Sequence, residues 1–363
     1  MTLRTLSLLL LVLVLAACGQ VPAATPTMAP TAAPAPSARA DLSGIKTYLL
    51  STGGELSAAT GRLAAAGDRY YAMARDAKFD YAALWQSQPD AVKAALLDAR
   101  AAWAEASPRY ERVEGIVAGT PSLAEFDIIL DAGSSGAEGG DSVVPFDLTL
   151  PDGRVLPKPG NLFGVAESTL WGTFPAYTTT VQADLDGDGA SGFGETLPDA
   201  NVLKGAADAL NRSAGELLNA AQAWQPTESD AFTALVVMVP TMSEYFESWK
   251  GSRFVAGESS TQRDFVAISR LADIQDILGG LEVVYGQVQP LVAEADAAQS
   301  TQIAQRLTSL KEFVAGVYAQ EQGGKRFTAE EADTLGAEAQ DRATAITGQI
   351  TQVAAQLSIP VEQ

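Results

Sequence analysis

Twelve residues near the middle of the chain, Asp184-Leu-Asp186-Gly-Asp188-Gly189-Ala190-Ser191-Gly-Phe-Gly-Glu195, follow the pattern D-x-D-x-D-G-x5-E without a mismatch. Calcium is a hard cation that takes six to eight oxygens. A loop of this spacing supplies them from carboxylates at positions 1, 3 and 5, a carbonyl at 7 and a bidentate Glu at 12. Asp184, Asp186, Asp188, the Ala190 carbonyl and Glu195 fill those places. Gly189 stands where the backbone must turn sharply, and Gly187 keeps the acidic turn open. Position 8 is Ser191 rather than an aliphatic residue, and Tyr177-Thr-Thr-Thr-Val181 before the loop is β-branched. A lone, EF-hand-like calcium loop is therefore expected rather than one hand of a helix-flanked pair. The same composition also suits an acidic surface turn that holds no ion, although repulsion among four carboxylates weighs against that reading.

What the chain lacks narrows its chemistry further. It contains no histidine, which removes Ser-His-Asp and Cys-His catalysis, H-E-x-x-H zinc sites and every imidazole ligand. Its single cysteine is Cys18, so intrachain disulfides, thiolate zinc sites and iron–sulfur clusters are excluded as well. Any bound metal must be held by oxygen, which points to calcium, magnesium, manganese or iron. With 24 basic against 44 acidic residues and a formal net charge of -20, no basic patch is available for a phosphate backbone. Nucleic acid is not an expected partner.

The elements that must position these residues are helical. The composition is 47% hydrophobic, rich in Ala and only 7% aromatic, and 363 residues suffice for one large core or two modest ones. Residues 1–17 read as a signal peptide: Arg4 precedes the apolar run Leu8–Leu15, which is too short to span a bilayer. Leu15-Ala-Ala-Cys18 resembles the bacterial lipobox, which implies lipidation of Cys18 and anchoring to the outer face of a bacterial membrane. Residues 18–40, rich in Pro, Ala and Thr, form a semi-stiff tether. The folded domain is expected over 41–363, with a first half at 41–172, the calcium loop at 184–195 and a second half at 199–357. Helical spacing starts at Asp41 with Ser43 as cap, and Asp90–Val117 is the clearest helix of the first half. Glu111 and Glu114, three apart, share a face near its end; such a pair serves equally well on a solvated surface. Val144–Leu156 alternates around an Asp-Gly turn and predicts a small β-hairpin, and Leu162–Trp171 a short helix. Beyond an Asp199 cap, helices are predicted over Val202–Trp224, Phe232–Trp249, Arg263–Glu294, Thr301–Tyr318 and Thr328–Leu357. Breaks fall at Pro290, Gln299-Ser300 and Gly323-Gly324, and the Thr328–Glu331 stretch has capping-box spacing. Antiparallel helices with short turns mean helical bundles, an all-α fold with a small hairpin insertion.

The order of motifs resembles the imelysin-like family, in particular its EfeO-type iron-uptake lipoproteins. The resemblance rests on Trp103…Tyr110-Glu111-Arg-Val-Glu114-Gly-Ile, Asp127-Ile-Ile-Leu-Asp131 and Asn161-Leu-Phe-Gly164-Val-Ala-Glu167-Ser-Thr-Leu-Trp171-Gly172. It continues through Asp199–Asp208 and Leu271–Tyr285 and covers most of residues 41–357. The family implies an all-α body of bundles, an envelope location and a link to iron acquisition, and some members were named as peptidases. Its G-x-H-x-x-E motif and a nearby Glu-rich helix are taken to hold a metal. On this chain the motif's Glu matches Glu167, while its His matches Gly164 and is lost; a second family His falls near Ile268 and is lost too. Glu111, Glu114 and Asp127 stand at matching positions. The resemblance thus implies an all-oxygen second metal site of Glu111, Glu114, Asp127 and Glu167, for iron or another oxygen-liganded divalent cation. These carboxylates could equally be polar remnants of a site that has lost its ion.

Two functions follow as expectations. One is an envelope lipoprotein with a metal-associated binding domain related to iron acquisition, stabilised by a structural calcium loop, with an iron permease or another envelope protein as partner. The other is a calcium-stabilised surface interaction module without the family's metal chemistry. The retained carboxylates favour the first and the missing histidines the second. Peptidase activity is not expected, because no zinc ligand set and no general base with a partnered nucleophile can be named.

Overall fold

The computed structural model describes residues 40–362, so the leader, Cys18 and nearly all of the tether lie outside the described residues. The described residues are mostly helical. In order, the helices are α1 (Ser43–Asp76), α2 (Tyr81–Ser87), α3 (Pro89–Val117), α4 (Ala124–Asp127), α5 (Leu162–Leu170), α6 (Ala200–Ala223), α7 (Glu228–Met238), α8 (Met242–Gly251), α9 (Arg253–Ala256), α10 (Arg270–Ala295), α11 (Ala297–Gln322) and α12 (Ala329–Leu357). Two small antiparallel sheets complete it: β1 (Leu148–Thr149) with β2 (Val155–Leu156), and β3 (Thr178–Gln182) with β4 (Thr196–Pro198). The first is the expected hairpin, in register Leu148 opposite Leu156. No described helix is long and apolar enough to cross a membrane.

Apolar residues at helical spacing decide what packs where. Ile45, Leu49, Leu56, Leu63 and Tyr70 make one buried stripe on α1, which lies along α3 and α6; α5, buried in all its residues, is wedged against α6 and α3. A second bundle of α8, α10, α11 and α12 joins the first through α3 and α10, and one hydrophobic core runs through both. The α3–α10 crossing depends on glycine. A Cβ at Gly280 would run into the Arg112 carbonyl, and one at Gly115 would come within 2.9 Å of Leu281. Without side chains at these two points the helices approach closely, and the polar residues that flank the crossing are forced together.

Several boundaries differ from the sequence reading, each for a local reason. α1 starts at Ser43 itself, and Asp41 rather than Ser43 accepts the first free N–H, that of Ser43, at 3.0 Å. Phe232–Trp249 is not one helix, because Pro240 sits in a tight 3-10 turn, Val239–Thr241, between α7 and α8. Pro290 does not end α10: its ring faces solvent and the helix runs on to Ala295, where Asp296 caps α11 through the N–H groups of Ala298 and Gln299. The largest difference is at 263–269, expected as helix and found as irregular chain with Phe265 at φ +54. Its backbone donors are taken by another group, described below. The caps at Asp199 and the Thr328/Glu331 capping box form as expected.

Candidate metal centre

The acidic loop is strung between β3 and β4, not between two helices, and the Ala183 N–H closes it onto the Glu195 carbonyl at 2.7 Å. Asp184, Asp186 and Asp188 each offer an oxygen, all within 4.8 Å of one another. The turn is shaped by those same side chains: Asp184 accepts from Gly187 (2.6 Å) and Gly189 (3.1 Å), Asp186 from Asp188 (3.0 Å), and Asp188 from Ala190 (2.7 Å). Gly187 and Gly189 have φ of +85 and +82, a backbone that other residues resist. Glu195 is held apart from the three aspartates. It accepts from the N–H groups of Gly192 (2.6 Å), Leu185 (2.7 Å) and Asp186 (3.2 Å), and these bonds, Gly192's first, keep its carboxyl below the usual range. Leu185 is buried under the loop, and Arg100 of α3 ties it down by donating to the carbonyls of Leu170, at 2.8 Å, and Gly194.

A second acidic cluster is buried at the α3–α10 crossing. The last turns of α3 carry Glu111 and Glu114, 1% and 3% exposed. After α4 the chain makes one wide π-helical turn, Ile128–Ala132, that brings in Asp131, with Asp127 just before it. From the other side α10 contributes Arg270 and Asp273, and α8 contributes Tyr245. One oxygen each of Glu111, Glu114 and Asp131 lie within 4.8 Å of one another. Arg270 Nη1 stands 3.0 Å from Asp273, 3.7 Å from Glu111 and 3.9 Å from Asp131. Its guanidinium is sandwiched by the rings of Phe265 (3.8 Å) and Tyr245 (4.7 Å). The Tyr245 hydroxyl donates to Glu114 Oε1 at 2.5 Å, and the Tyr110 hydroxyl to Asp127 at 2.7 Å. Glu111 Oε2 and Glu114 Oε2 have no hydrogen-bond partner.

This cluster sets five carboxylates, Glu111, Glu114, Asp127, Asp131 and Asp273, against one guanidinium. Burial pushes Glu111 and Asp131 well above the usual carboxylate range, Asp127 to about 8 and Asp273 to about 6. Neighbouring carboxylates add to the rise, while Arg270 opposes it. Either protons or a further cation must balance the excess negative charge.

Glu167, assigned to the same pocket by the family resemblance, has a different set of partners. Its carboxylate accepts from the N–H groups of Phe265 (2.6 Å), Ala267 (2.8 Å) and Val266 (2.9 Å), which is why 263–269 does not continue α10. Burial still lifts its carboxyl to about 8. A cavity of about 10 Å³, room for roughly one water, separates Glu167 from Asp131 and Asp273. Gly164 and Ile268, the positions of the two absent histidines, line this same cavity, and Asp264 folds over Gly164, 2.8 Å from where a Cβ would be. The structure therefore brings Glu111 and Glu114 together, adds Asp131, sets Asp127 beside Tyr110 and leaves Glu167 holding a loop. Asp131, which ends the quoted Asp127–Asp131 motif, was not assigned to the site from the sequence, nor were Asp273, Arg270, Tyr245 and Asp264. Asp131 could have been found, four residues from Asp127 on one helical face; the contribution of α8 carries no local signal.

A family model described as Imelysin, Peptidase_M75, matches residues 47–358. Among solved structures the chain is similar to one from Parabacteroides distasonis ATCC 8503 named as an iron-regulated protein A precursor. The two share 14% identity at a TM-score of 0.49, covering 85% of this chain and 94% of that one. No curated protein matches the sequence.

Proposed function

The chain belongs to the imelysin family, and from that membership together with the buried acid cluster we propose that it is a cation-binding lipoprotein of the cell envelope, related to iron acquisition and not catalytic. The observation that carries this reading is the pair of unpartnered oxygens, Glu111 Oε2 and Glu114 Oε2. A buried acceptor without a partner costs on the order of 1–3 kcal/mol, more when charged. One oxygen each of Glu111, Glu114 and Asp131, within 4.8 Å of one another, make an oxygen-only set that a divalent cation would satisfy. Ferrous iron, manganese and calcium all take such ligands, whereas zinc and copper prefer the nitrogen and sulfur that this chain lacks. Glu111, Glu114 and Asp131 would hold the cargo. Tyr245 would fix the rotamer of Glu114, and Arg270, through Asp273, would set how much of the acidic charge is left for the cation.

The Asp184–Glu195 loop is assigned a structural role as a calcium clip. It joins β3 to β4 and is anchored on α3 and α5 through Arg100, so an ion bound there would stabilise the folded form by linkage. Cys18 is assigned to the lipid anchor, with a permease or another envelope protein as partner; a Cys18→Ser chain that still partitions with membranes would contradict this. A second reading, an interaction module without metal chemistry, draws on Arg270, a resident cation already inside the cluster.

Calorimetric titration of the chelator-stripped protein under anaerobic conditions separates the two. With the loop saturated by calcium, ferrous iron should still bind, and Glu114→Gln should abolish that heat. Calcium binding alone, with no iron heat in the parent protein, would leave the interaction module as the better account.

A further inference from the structure

Outside the acid cluster, a cleft of about 560 Å³ opens between the acidic loop and the segment that follows α8. That volume suits a small organic ligand. Its walls combine aromatic surface from Trp171 and Phe193 with two guanidiniums, Arg253 and Arg326, and a floor at Val266 and Ala267. Phe193 is 42% exposed although large and apolar, and the Arg253 guanidinium lies over its ring, 3.3 Å from the centre. Neither arginine has an ion-pair partner among the described residues, on a chain whose net charge is -20. Burial weighs most against the charge of Arg253; the one acid on the rim, Glu258, favours it, and the charge of Arg326 works against it. Two like charges held at an aromatic-walled opening leave a net positive, partly desolvated site within an otherwise acidic protein.

We propose that this cleft binds a small organic anion with a flat aromatic face, an aryl carboxylate, stacked on Phe193 and Trp171 and paired with Arg253 and Arg326. Stacking calls for a planar ring, and a planar guanidinium pairs with a carboxylate in two parallel hydrogen bonds. Residue order also places the site next to the cation cluster. Val266 and Ala267 form its floor, while the adjacent Phe265 covers Arg270 on the other side. The proposal does not rest on cation binding at Glu111 and Glu114.

The test uses the full chain and three probes in calorimetric titration: salicylate, uncharged salicylamide, and acetate, which has the charge without the ring. Saturable binding of salicylate, with both other probes weaker by about tenfold or more, is the expected result. Arg326→Gln and Phe193→Ala, both at exposed positions, should each lower salicylate affinity by about tenfold and leave the circular dichroism spectrum unchanged. Absence of salicylate binding at millimolar concentration, or binding equal in the parent and both variants, would overturn the proposal.

Discussion

Tyr245 on α8 donates its hydroxyl to one oxygen of Glu114 on α3 at 2.5 Å and leaves the other oxygen of that carboxylate buried and without a partner. A helix from the second bundle thus fixes the orientation of an acid from the first. One oxygen of Glu114 also lies within 4.8 Å of one each from Glu111 and Asp131, a grouping that could hold a cation.

From this arrangement Glu114→Gln should separate stability from binding. The amide is isosteric, can still accept from Tyr245 and carries no charge, so the cation-free variant should unfold at the same temperature as the parent or a few degrees higher. Its affinity for ferrous iron or manganese should fall at least about tenfold, or about 1.4 kcal/mol. Thermal scans with and without manganese check both halves.

The raised carboxyls predict an unusual pH dependence. Asp127 and Glu167, lifted to about 8, and Asp273, lifted to about 6, bind protons more tightly folded than unfolded. Between pH 4 and 8 the folded form therefore holds more protons, so stability is full below the unfolded values and falls as pH rises through the folded ones. Exposed acids held low, such as Glu105 and Glu331, act the other way below about pH 4.5. Denaturant titrations of the stripped protein should show greatest stability near pH 5 and a decline towards pH 8. Saturating manganese should flatten that decline, because a bound cation takes over from the protons.

Glu167→Ala removes the acceptor of three backbone donors at 265–267. A loss of about 2–4 kcal/mol is expected, with faster amide hydrogen exchange confined to 263–269 and its neighbours. The thermal shift produced by calcium should survive, since the acidic loop is anchored elsewhere, through Arg100. Loss of the calcium shift in this variant would contradict the separation of the two sites.

Asp188→Ala addresses the loop alone. Asp188 offers an oxygen to the aspartate group and accepts the Ala190 N–H, so its truncation should abolish most of the calcium-dependent thermal shift and leave the helical circular dichroism unchanged. A linkage contribution of about 2.7 kcal/mol at a hundredfold calcium excess over Kd sets the scale of what would be lost.

The bundle was legible in the sequence because its signals are local: the Ile45–Tyr70 stripe, the caps at Asp199 and Thr328, and the Asp-Gly hairpin each act within a few turns. The acidic loop was legible for the same reason, as all five proposed ligands fall within twelve residues. The buried cluster was only half legible. Glu111 and Glu114 share a helix face, but what makes them unusual is burial against Arg270, Asp273 and Tyr245 from α10 and α8, far away in the chain. That burial depends on Gly115 and Gly280, which let α3 and α10 touch. The helix expected at 263–269 was lost to a side chain about a hundred residues earlier, since Glu167 takes the N–H groups that helical bonds would use. Apolar periodicity contains no trace of such competition.

The central claim, a cation held by Glu111, Glu114 and Asp131, is tested most directly by diffraction at the manganese edge from crystals soaked in manganese with calcium present. An anomalous peak bonded to Glu111 Oε2 and Glu114 Oε2 is expected, and it should disappear in Glu114→Gln crystals. Anomalous density confined to the Asp184–Glu195 loop, with none at the α3–α10 crossing, would contradict it.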